Sequence, residues 1–186
     1  MSGLYLQSNR ITSISANTFS SLFSLRYLYL QSNRISSISS QAFIGLPRLD
    51  RVYLGNNSIS SLHLDVFNNL TSLSGLYLQS NRITSISANT FSSLFSLRYL
   101  YLQSNRISSI SSQAFIGLPR LDRVYLGNNS ISSLHLDVFN NLTSLSRLDL
   151  SYNKIKTLNP DVFRTLDNLR ELSSINGDFS SLDLNI

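Results

Sequence analysis

Tyrosine and arginine are the side chains of this 186-residue chain whose types and spacing suggest chemistry. Six of the nine tyrosines recur every 24 residues, at Tyr5, Tyr29, Tyr53, Tyr77, Tyr101 and Tyr125. Tyr27, Tyr99 and Tyr152 complete the set, and Arg26, Arg51, Arg98, Arg123 and Arg147 stand just ahead of the same Leu or Val residues. Both residue types are enriched in binding hot spots, and neighbouring pairs of them can form cation–π contacts. The chemistry that this pattern favours is non-covalent recognition.

Catalytic and metal chemistry have little support in the sequence. The chain has no Cys, which excludes disulfides and thiol nucleophiles, and it has neither a G-x-S-x-G elbow nor a Walker loop. His63 and His135 are isolated and do not form a set of metal ligands. A repeat that places the same residues in every turn also disfavours an active site built from dissimilar groups. We therefore predict no enzymatic activity, no cofactor and no metal.

The charge pattern limits the partners. The net charge of +5 is spread thinly, without the Lys/Arg block that marks nucleic-acid tails, so nucleic acid is not an expected partner. The first residues, MSGLYLQSNR, lack the pattern of a signal peptide, and no segment approaches the roughly 20 apolar residues that span a bilayer. We predict no membrane span.

A 24-residue frame must position these side chains. It reads L-x-L-x-x-N-x-I/L-x-x-I/L-x-x-x-x-F-x-x-L, as in residues 28–46. The alternation within L-x-L places two Leu on the buried face of a short strand and the residue between them on the opposite face. The rest of each frame is long enough for a crossover to a parallel neighbour. The frame predicts a solenoid with a parallel sheet on its concave side, a core of Leu and Ile columns, and a convex column of seven Phe.

The frame also contains an Asn that recurs seven times, at Asn9, Asn33, Asn57, Asn81, Asn105, Asn129 and Asn153. It stands where the chain turns away from the strand. Its side-chain amide can satisfy backbone groups of adjacent turns that would otherwise be buried and unpaired. We interpret it as a structural ladder, not as a binding site.

The chain contains an exact internal duplication, since residues 3–74 are identical at every position to residues 75–146. The block is three whole frames long, so the copy preserves the register. Either the gene was duplicated very recently or the chain was engineered, and the sequence favours engineering. We expect a single domain over residues 1–186 with about eight repeats, of which 169–186 form a degenerate last repeat or cap.

The frame, the Phe column and segments such as DVFNNLTSLSRLDLSYNKI resemble the 24-residue typical subclass of leucine-rich repeats, over roughly residues 4–172. That subclass occurs in Toll-like receptor ectodomains, Slit-like proteins and variable lymphocyte receptors. The resemblance implies an α/β-type leucine-rich repeat solenoid, a right-handed curved horseshoe with a concave parallel sheet and irregular or short helical convex segments. It also implies an extracellular module that binds a protein or a microbial surface ligand on its concave face.

The ends depart from the family pattern. Family members carry disulfide-bonded caps, whereas this chain has no Cys. Leu4 and Leu6 begin a repeat almost at once, so we expect an open N-terminal edge that can associate end to end with another copy. Near the C-terminus, Ser174 replaces a strand Leu and Gly177 replaces the ladder Asn, which suggests a partial polar cap.

The register predicts that all nine tyrosines lie on one concave face, with successive strands about 4.8 Å apart. The predicted ligand-binding residues are Tyr27, Tyr29, Arg51, Tyr53, Tyr77, Arg98, Tyr99, Tyr101, Arg123, Tyr125, Arg147, Asp149 and Tyr152. Tyrosine is also a good strand former, so the same column can serve stability alone. Four sequons, at Asn56, Asn69, Asn128 and Asn141, would accept N-glycans if the chain were secreted.

Two functional hypotheses follow. The first is a non-enzymatic recognition module, of the innate-immune type, that binds a protein or an anionic microbial molecule on the Tyr/Arg face. The second is an engineered or consensus scaffold without a natural ligand, which the exact duplication supports.

Overall fold

The computed structural model describes residues 1–175 and the backbone of residues 181–182, and its secondary structure consists of short strands and one short helix. The strands are β1 (Gly3–Tyr5), β2 (Ser13–Ile14), β3 (Tyr27–Tyr29), β4 (Ser37–Ile38), β5 (Arg51–Tyr53), β6 (Gly75–Tyr77), β7 (Ser85–Ile86), β8 (Tyr99–Tyr101), β9 (Ser109–Ile110), β10 (Arg123–Tyr125), β11 (Arg147–Asp149), β12 (Thr157–Leu158), β13 (Glu171–Ser173) and β14 (Ser181–Leu182). A 3-10 helix covers Pro160–Phe163.

Eight strands form one parallel sheet in the order β1-β3-β5-β6-β8-β10-β11-β13. The register advances by one frame per strand, so Leu4 pairs with Leu28 and Tyr5 pairs with Tyr29. Each strand therefore places its Leu or Val in the core and its flanking residues on the outer side of the sheet. The predicted leucine-rich repeat solenoid with a concave parallel sheet is confirmed.

The chain leaves the sheet through a turn of fixed conformation. In each turn the residue before the ladder Asn has a positive φ of 53° to 58°, at Ser8, Ser32, Asn56, Ser80, Ser104, Asn128 and Tyr152. This left-handed conformation is uncommon for residues with a side chain, and its repetition shows that the surrounding packing imposes it. Small two-stranded parallel sheets, β2–β4, β7–β9 and β12–β14, follow these turns.

The core consists of stacked columns. Strand residues such as Leu28, Val52 and Leu100 are fully buried. On the convex side, successive Phe rings from Phe19 to Phe163 stack with centroids 5.9 to 6.4 Å apart, and we call this column the phenylalanine spine. Burial of each such side chain stabilises the fold by about 1.5–3 kcal/mol. The Ile that follows the ladder Asn is buried as well, as at Ile59 and Ile83, so the predicted Leu, Ile and Phe columns are confirmed.

The asparagine ladder is also confirmed. The Nδ2 group of Asn57 donates to the carbonyl oxygens of Leu30 and Leu54, both at 3.0 Å, and its Oδ1 accepts from the N–H of Ile35 at 2.9 Å. One buried side chain thus satisfies backbone groups of its own repeat and of the preceding one. The same pattern recurs at Asn33, Asn81, Asn105, Asn129 and Asn153.

The N-terminal repeat is less buried than the interior repeats. Leu4, Leu6 and Ile11 are only partly buried, and Asn9 bonds carbonyls of its own turn, at Leu6 and Gln7. This geometry fits the expected open edge, while end-to-end association stays a prediction. At the other end, Ser174 follows strand β13, and Gly177 lies outside the described residues. No helix in the described part of the chain is long and apolar enough to cross a membrane.

Candidate functional site

The central feature of the concave face is a continuous stack of six tyrosine rings, which we call the tyrosine ladder: Tyr5, Tyr29, Tyr53, Tyr77, Tyr101 and Tyr125. Adjacent ring centroids are 4.4 to 4.8 Å apart, and adjacent ring planes are within 19° of parallel. The spacing matches that of the strands, because each ring rises from the last residue of its strand. The predicted ladder spacing is thus found in the structure.

Stacking decides which part of each tyrosine is available to a ligand. Interior rungs such as Tyr53 and Tyr101 have a ring on either side and are half-buried, whereas Tyr5, the first rung, is 66% exposed. Ring faces between rungs are therefore covered, and the ladder presents ring edges. We expect ligand contacts at these edges and at the phenol hydroxyls rather than on ring faces.

Glycine makes room for the rings. A Cβ added at Gly75 would lie 2.9 Å from the Cε2 atom of Tyr77, and one added at Gly3 would lie 3.1 Å from the corresponding atom of Tyr5. The rings of Tyr5 and Tyr77 therefore lean over the residue two positions earlier on the same strand. Sequence analysis did not identify these glycines, although their position in the strand was a usable signal.

Arginines flank one side of the ladder. The Nη1 group of Arg147 donates to the hydroxyl of Tyr125 at 3.4 Å, and its Nη2 group donates to Glu171 at 2.5 Å. Arg51 occupies the same strand position, and its hydrogen bond with Tyr53 raises the pKa of the guanidinium. These contacts hold the two guanidinium groups beside the phenol row, so this flank of the ladder is positively charged.

Cation–π contacts form beside the ladder. The guanidinium of Arg123 lies 5.6 Å from the ring centroid of Tyr99, and that of Arg98 lies 5.7 Å from the same ring. Arg26 repeats the contact with Tyr27 at 5.7 Å. The predicted Arg–Tyr pairing thus occurs at the first residue of a strand, where the ring has a face that the ladder does not cover.

Glutamine flanks the other side of the ladder, and sequence analysis missed it. Gln31, Gln79 and Gln103 follow the second Leu of their repeats and are partly buried. A Cβ at Gly55 would lie 2.7 Å from the Gln79 side chain, so this glycine provides space for the amide. The signal for this column was its recurrence at the first position after L-x-L.

Two predicted site residues lie at the margins of the concave face, and for these the sequence placement was imprecise. Arg98 is exposed and lies outside strand β8, two positions before the core Leu, where it lines a shallow depression with Arg120, Asp122 and Ser144. Arg26 occupies the equivalent position in the first block. The strand begins only at the following residue, so the side chain points to the rim of the sheet rather than into its centre.

Tyr152 is the second such residue. It occupies the left-handed turn after β11, has a φ of 57° and is 56% exposed. It borders a depression that Asp149, Asn128 and Ile175 also line. Eight of the nine tyrosines that were predicted to share one surface are strand residues, and Tyr152 lies at the rim of that surface.

Burial in the ladder changes the acidity of the phenols. Burial, together with the neighbouring Tyr53 phenol, raises the pKa of Tyr77 to about 12. The pKa of Tyr101 is raised for the same first reason, with a further contribution from Tyr125. At neutral pH the ladder is therefore a row of uncharged hydroxyls beside cationic guanidinium groups.

A family model described as leucine rich repeat matches residues 2–59, 47–107, 75–129 and 119–173, which together span nearly the whole chain. The chain belongs to the leucine-rich repeat family. Leucine-rich repeat domains are in general non-enzymatic binding scaffolds, and the fold is that of a protein-binding repeat module. No curated protein sequence matches the chain significantly.

Two solved structures show the same fold. TLR13, in the crystal structure of the TLR13–ssRNA13 complex, superposes with a TM-score of 0.89 and 31% identity, covering 94% of this chain and 25% of that one. A leucine-rich repeat protein of Leptospira interrogans superposes with a TM-score of 0.84 and 27% identity, covering 98% of this chain and 45% of that one. The chain thus spans less than half the length of either protein.

The four sequons of this leucine-rich repeat chain fall at two kinds of position. Asn56 and Asn128 are exposed in the turn beside the concave face, and each donates to a Ser hydroxyl of the preceding repeat at 3.1 Å. Asn69 and Asn141 are exposed after the spine Phe and have positive φ values of 66° and 64°. A glycan on the first pair would border the ladder, and one on the second pair would project from the convex side.

The histidines serve local turns. The Nδ1 atom of His63 accepts from the N–H of Asp65 at 3.3 Å, and that of His135 accepts from Asp137 at 3.2 Å. Across the described residues of this leucine-rich repeat chain, no group of three or more His, Cys, Asp or Glu side chains is placed to hold a metal ion.

Proposed function

We propose that this leucine-rich repeat chain is a recognition module that binds a protein or an anionic microbial surface molecule on its concave face. The observation that carries the proposal is the tyrosine ladder with arginines along one flank. The rungs are half-buried and stacked, so their conformation is largely set before a ligand arrives. Ordering costs on binding are then low, which is the advantage of a rigid aromatic surface.

The charge of the face supports an anionic contact region. Arg51, Arg123 and Arg147 lie beside the phenols of the ladder. Asp122 pairs with Arg123 at 3.5 Å and Glu171 pairs with Arg147, whereas Arg51 forms no ion pair with a carboxylate of the described residues. Anionic groups of a ligand would therefore meet guanidinium groups beside the middle rungs. Association with such a ligand should slow as the salt concentration rises, because salt screens this attraction.

Base stacking finds little support on this surface. Proteins that bind single-stranded nucleic acid use exposed aromatic faces as stacking platforms. Adjacent rungs of the ladder cover one another, and the chain has no dense Lys/Arg block. The complex formed by TLR13 with RNA therefore does not extend to our proposal, which keeps a protein or an anionic surface molecule as the ligand and an extracellular, innate-immune type of setting.

The deciding experiment pairs a binding screen with substitutions in the ladder. Tyr29→Ala with Tyr101→Ala should weaken binding by at least about 30-fold, the effect of losing a hot spot worth about 2 kcal/mol. Phe23→Ala is the matched control, because that ring is 62% exposed on the convex side. Reduced binding with little change in melting temperature supports the proposal, and reduced melting temperature with unchanged binding contradicts it.

The exact duplication supports a second candidate function, an engineered scaffold with no natural ligand. Residues 3–74 and 75–146 carry the same ladder, the same flanking arginines and the same rim depressions. Codon usage separates the two origins. Identical codons in the two blocks would favour a recent natural duplication, and deliberately varied synonymous codons would favour a synthetic gene.

A further inference from the structure

We propose that the tyrosine ladder is a site of oxidative cross-linking, at which a peroxidase and hydrogen peroxide join neighbouring rungs into dityrosine. The reaction couples two phenols through their ortho carbons. It requires two rings that are close together and accessible to the oxidant. It also requires that few other side chains, such as Cys, Trp or Met, react with the oxidant first. Access is greatest at Tyr5, which is 66% exposed, and the interior rungs are reached at their ring edges and hydroxyls. The proposal does not depend on the proposed ligand.

The spacing of the rings meets the first condition. Tyr29 and Tyr53 are 4.6 Å apart between centroids, and Tyr53 and Tyr77 are 4.4 Å apart. The new bond lies in the plane of both rings, so two stacked neighbours must turn out of their parallel arrangement about the side-chain torsions before their ortho carbons meet. Among the described residues, no stacked ring contact joins Tyr27, Tyr99 or Tyr152 to another tyrosine, so these three are the natural reference group.

The composition of the chain meets the third condition, because few other side chains compete with tyrosine for the oxidant. Cys and Trp are absent and Met occurs once, at Met1. Cys thiolates and Met thioethers are the side chains that ordinary oxidants consume first. In this chain the nine tyrosines are therefore the principal oxidisable groups, and six of them stand in a contact series that can pass a radical from rung to rung.

The coupling of two phenols consumes one hydrogen peroxide. Each of two phenols gives one electron to the peroxidase and one proton to water, and the two phenoxyl radicals form a carbon–carbon bond between ortho carbons. Each ring then regains its aromaticity as the ortho hydrogen moves to its oxygen. One hydrogen peroxide takes up the two electrons and two protons and becomes two waters. The protein loses two hydrogen atoms per cross-link.

Each cross-link joins repeats that are 24 residues apart in sequence. A bond between Tyr5 and Tyr29 would tie down the first repeat, in which Leu4 and Leu6 are only partly buried. Closing that loop removes conformational freedom from the unfolded chain, as a disulfide does. Oxidation should therefore raise the melting temperature of the monomer.

The test compares two triple variants of the full chain. Tyr29→Phe, Tyr77→Phe and Tyr125→Phe together remove alternate rungs, whereas Tyr27→Phe, Tyr99→Phe and Tyr152→Phe together remove the tyrosines outside the ladder. Phenylalanine retains the ring, and matching melting temperatures before oxidation show that both variants are folded. Each protein is treated with peroxidase and hydrogen peroxide at low protein concentration, and the monomer is isolated.

The readouts are dityrosine fluorescence of the monomer, loss of two hydrogen atoms by mass, and tryptic peptides in which residues 1–10 are joined to residues 27–34. Wild type and the variant that retains the ladder should form the cross-link, and the alternate-rung variant should give only background. Equal yields from the two variants would overturn the proposal. Dityrosine found in dimers but not in monomers would overturn it as well.

Discussion

The asparagine ladder makes the most quantitative prediction, which concerns Asn81→Ala. Asn81 is buried, and its Nδ2 group donates to the carbonyl oxygens of Leu54 at 3.0 Å and Leu78 at 3.1 Å. Its Oδ1 accepts from the N–H of Ile59 at 3.0 Å. The substitution removes all of these hydrogen bonds and adds no new polar group.

The loss in the free energy of unfolding depends on which backbone groups lose their last hydrogen-bond partner. The Leu54 oxygen still accepts from Asn57, and the Leu78 oxygen still accepts from Asn105, both at 3.0 Å. The Ile59 N–H loses its acceptor, which costs about 1–3 kcal/mol for a buried group, and each weakened carbonyl adds about 0.5–1 kcal/mol. We expect the free energy of unfolding to fall by roughly 2–5 kcal/mol.

Asn9→Ala is the matched control, because Asn9 has the same place in the frame at the open end. Its Nδ2 group donates at 3.1 and 3.2 Å to carbonyls of its own turn, and the residue is exposed. Its loss should cost less than about 1 kcal/mol. Urea unfolding followed by circular dichroism measures both, with the slope m checked for constancy. Equal losses of unfolding free energy from the two variants would refute the argument that the asparagine ladder stabilises contacts between repeats.

Three further predictions test the phenylalanine spine, the tyrosine ladder and a turn. Phe91→Ala removes a fully buried ring of the spine and should lower the free energy of unfolding by about 3–5 kcal/mol, measured by urea unfolding. Phe23→Ala removes a ring that is 62% exposed and should lower it by less than about 0.5 kcal/mol. Similar costs would argue against the spine. Since burial raises the pKa of Tyr77 from 10.0 to about 12, its contribution to stability is complete below pH 10 and is lost as the pH rises towards 12. Tyr77→Phe should flatten the fall in melting temperature over that interval, and an unchanged pH profile would contradict the shift. Gly45→Ala should destabilise by more than about 1 kcal/mol, because φ is +83° and the new Cβ would lie 2.6 Å from the Ser20 oxygen. An unchanged melting temperature would show that the turn relaxes.

Much of the fold could be predicted because the frame constrains it at every repeat. The alternation in L-x-L assigns Leu28 to the core and Tyr29 to the outer face, and the structure agrees. Periodicity also identified the roles of the spine Phe and the ladder Asn, since a residue that recurs every 24 positions meets the same surroundings in each turn.

The candidate site was only partly predictable. The spacing of the ladder followed from the spacing of the strands, but the flanking Gln79 and the glycines that make room for rings and amides were missed. Arg98 and Tyr152 were assigned to the same face as the strand residues, whereas they lie at its margins. Their positions depend on where each strand begins and ends, and sequence alone defines such boundaries poorly.

The sequence by itself determined the repeat, the identity of the core columns and the set of residues that share the concave side, because strand alternation and a constant frame length require them. Tertiary structure decided how the tyrosines face one another. The torsions of the Tyr77 side chain are set by the rings 24 residues away on either side, Tyr53 and Tyr101, and by Gly75 on its own strand, which leaves space for the ring. The nine tyrosines are consequently not nine equivalent contacts. Six form a stack with covered faces, two lie beside it under arginines, and one stands at the rim.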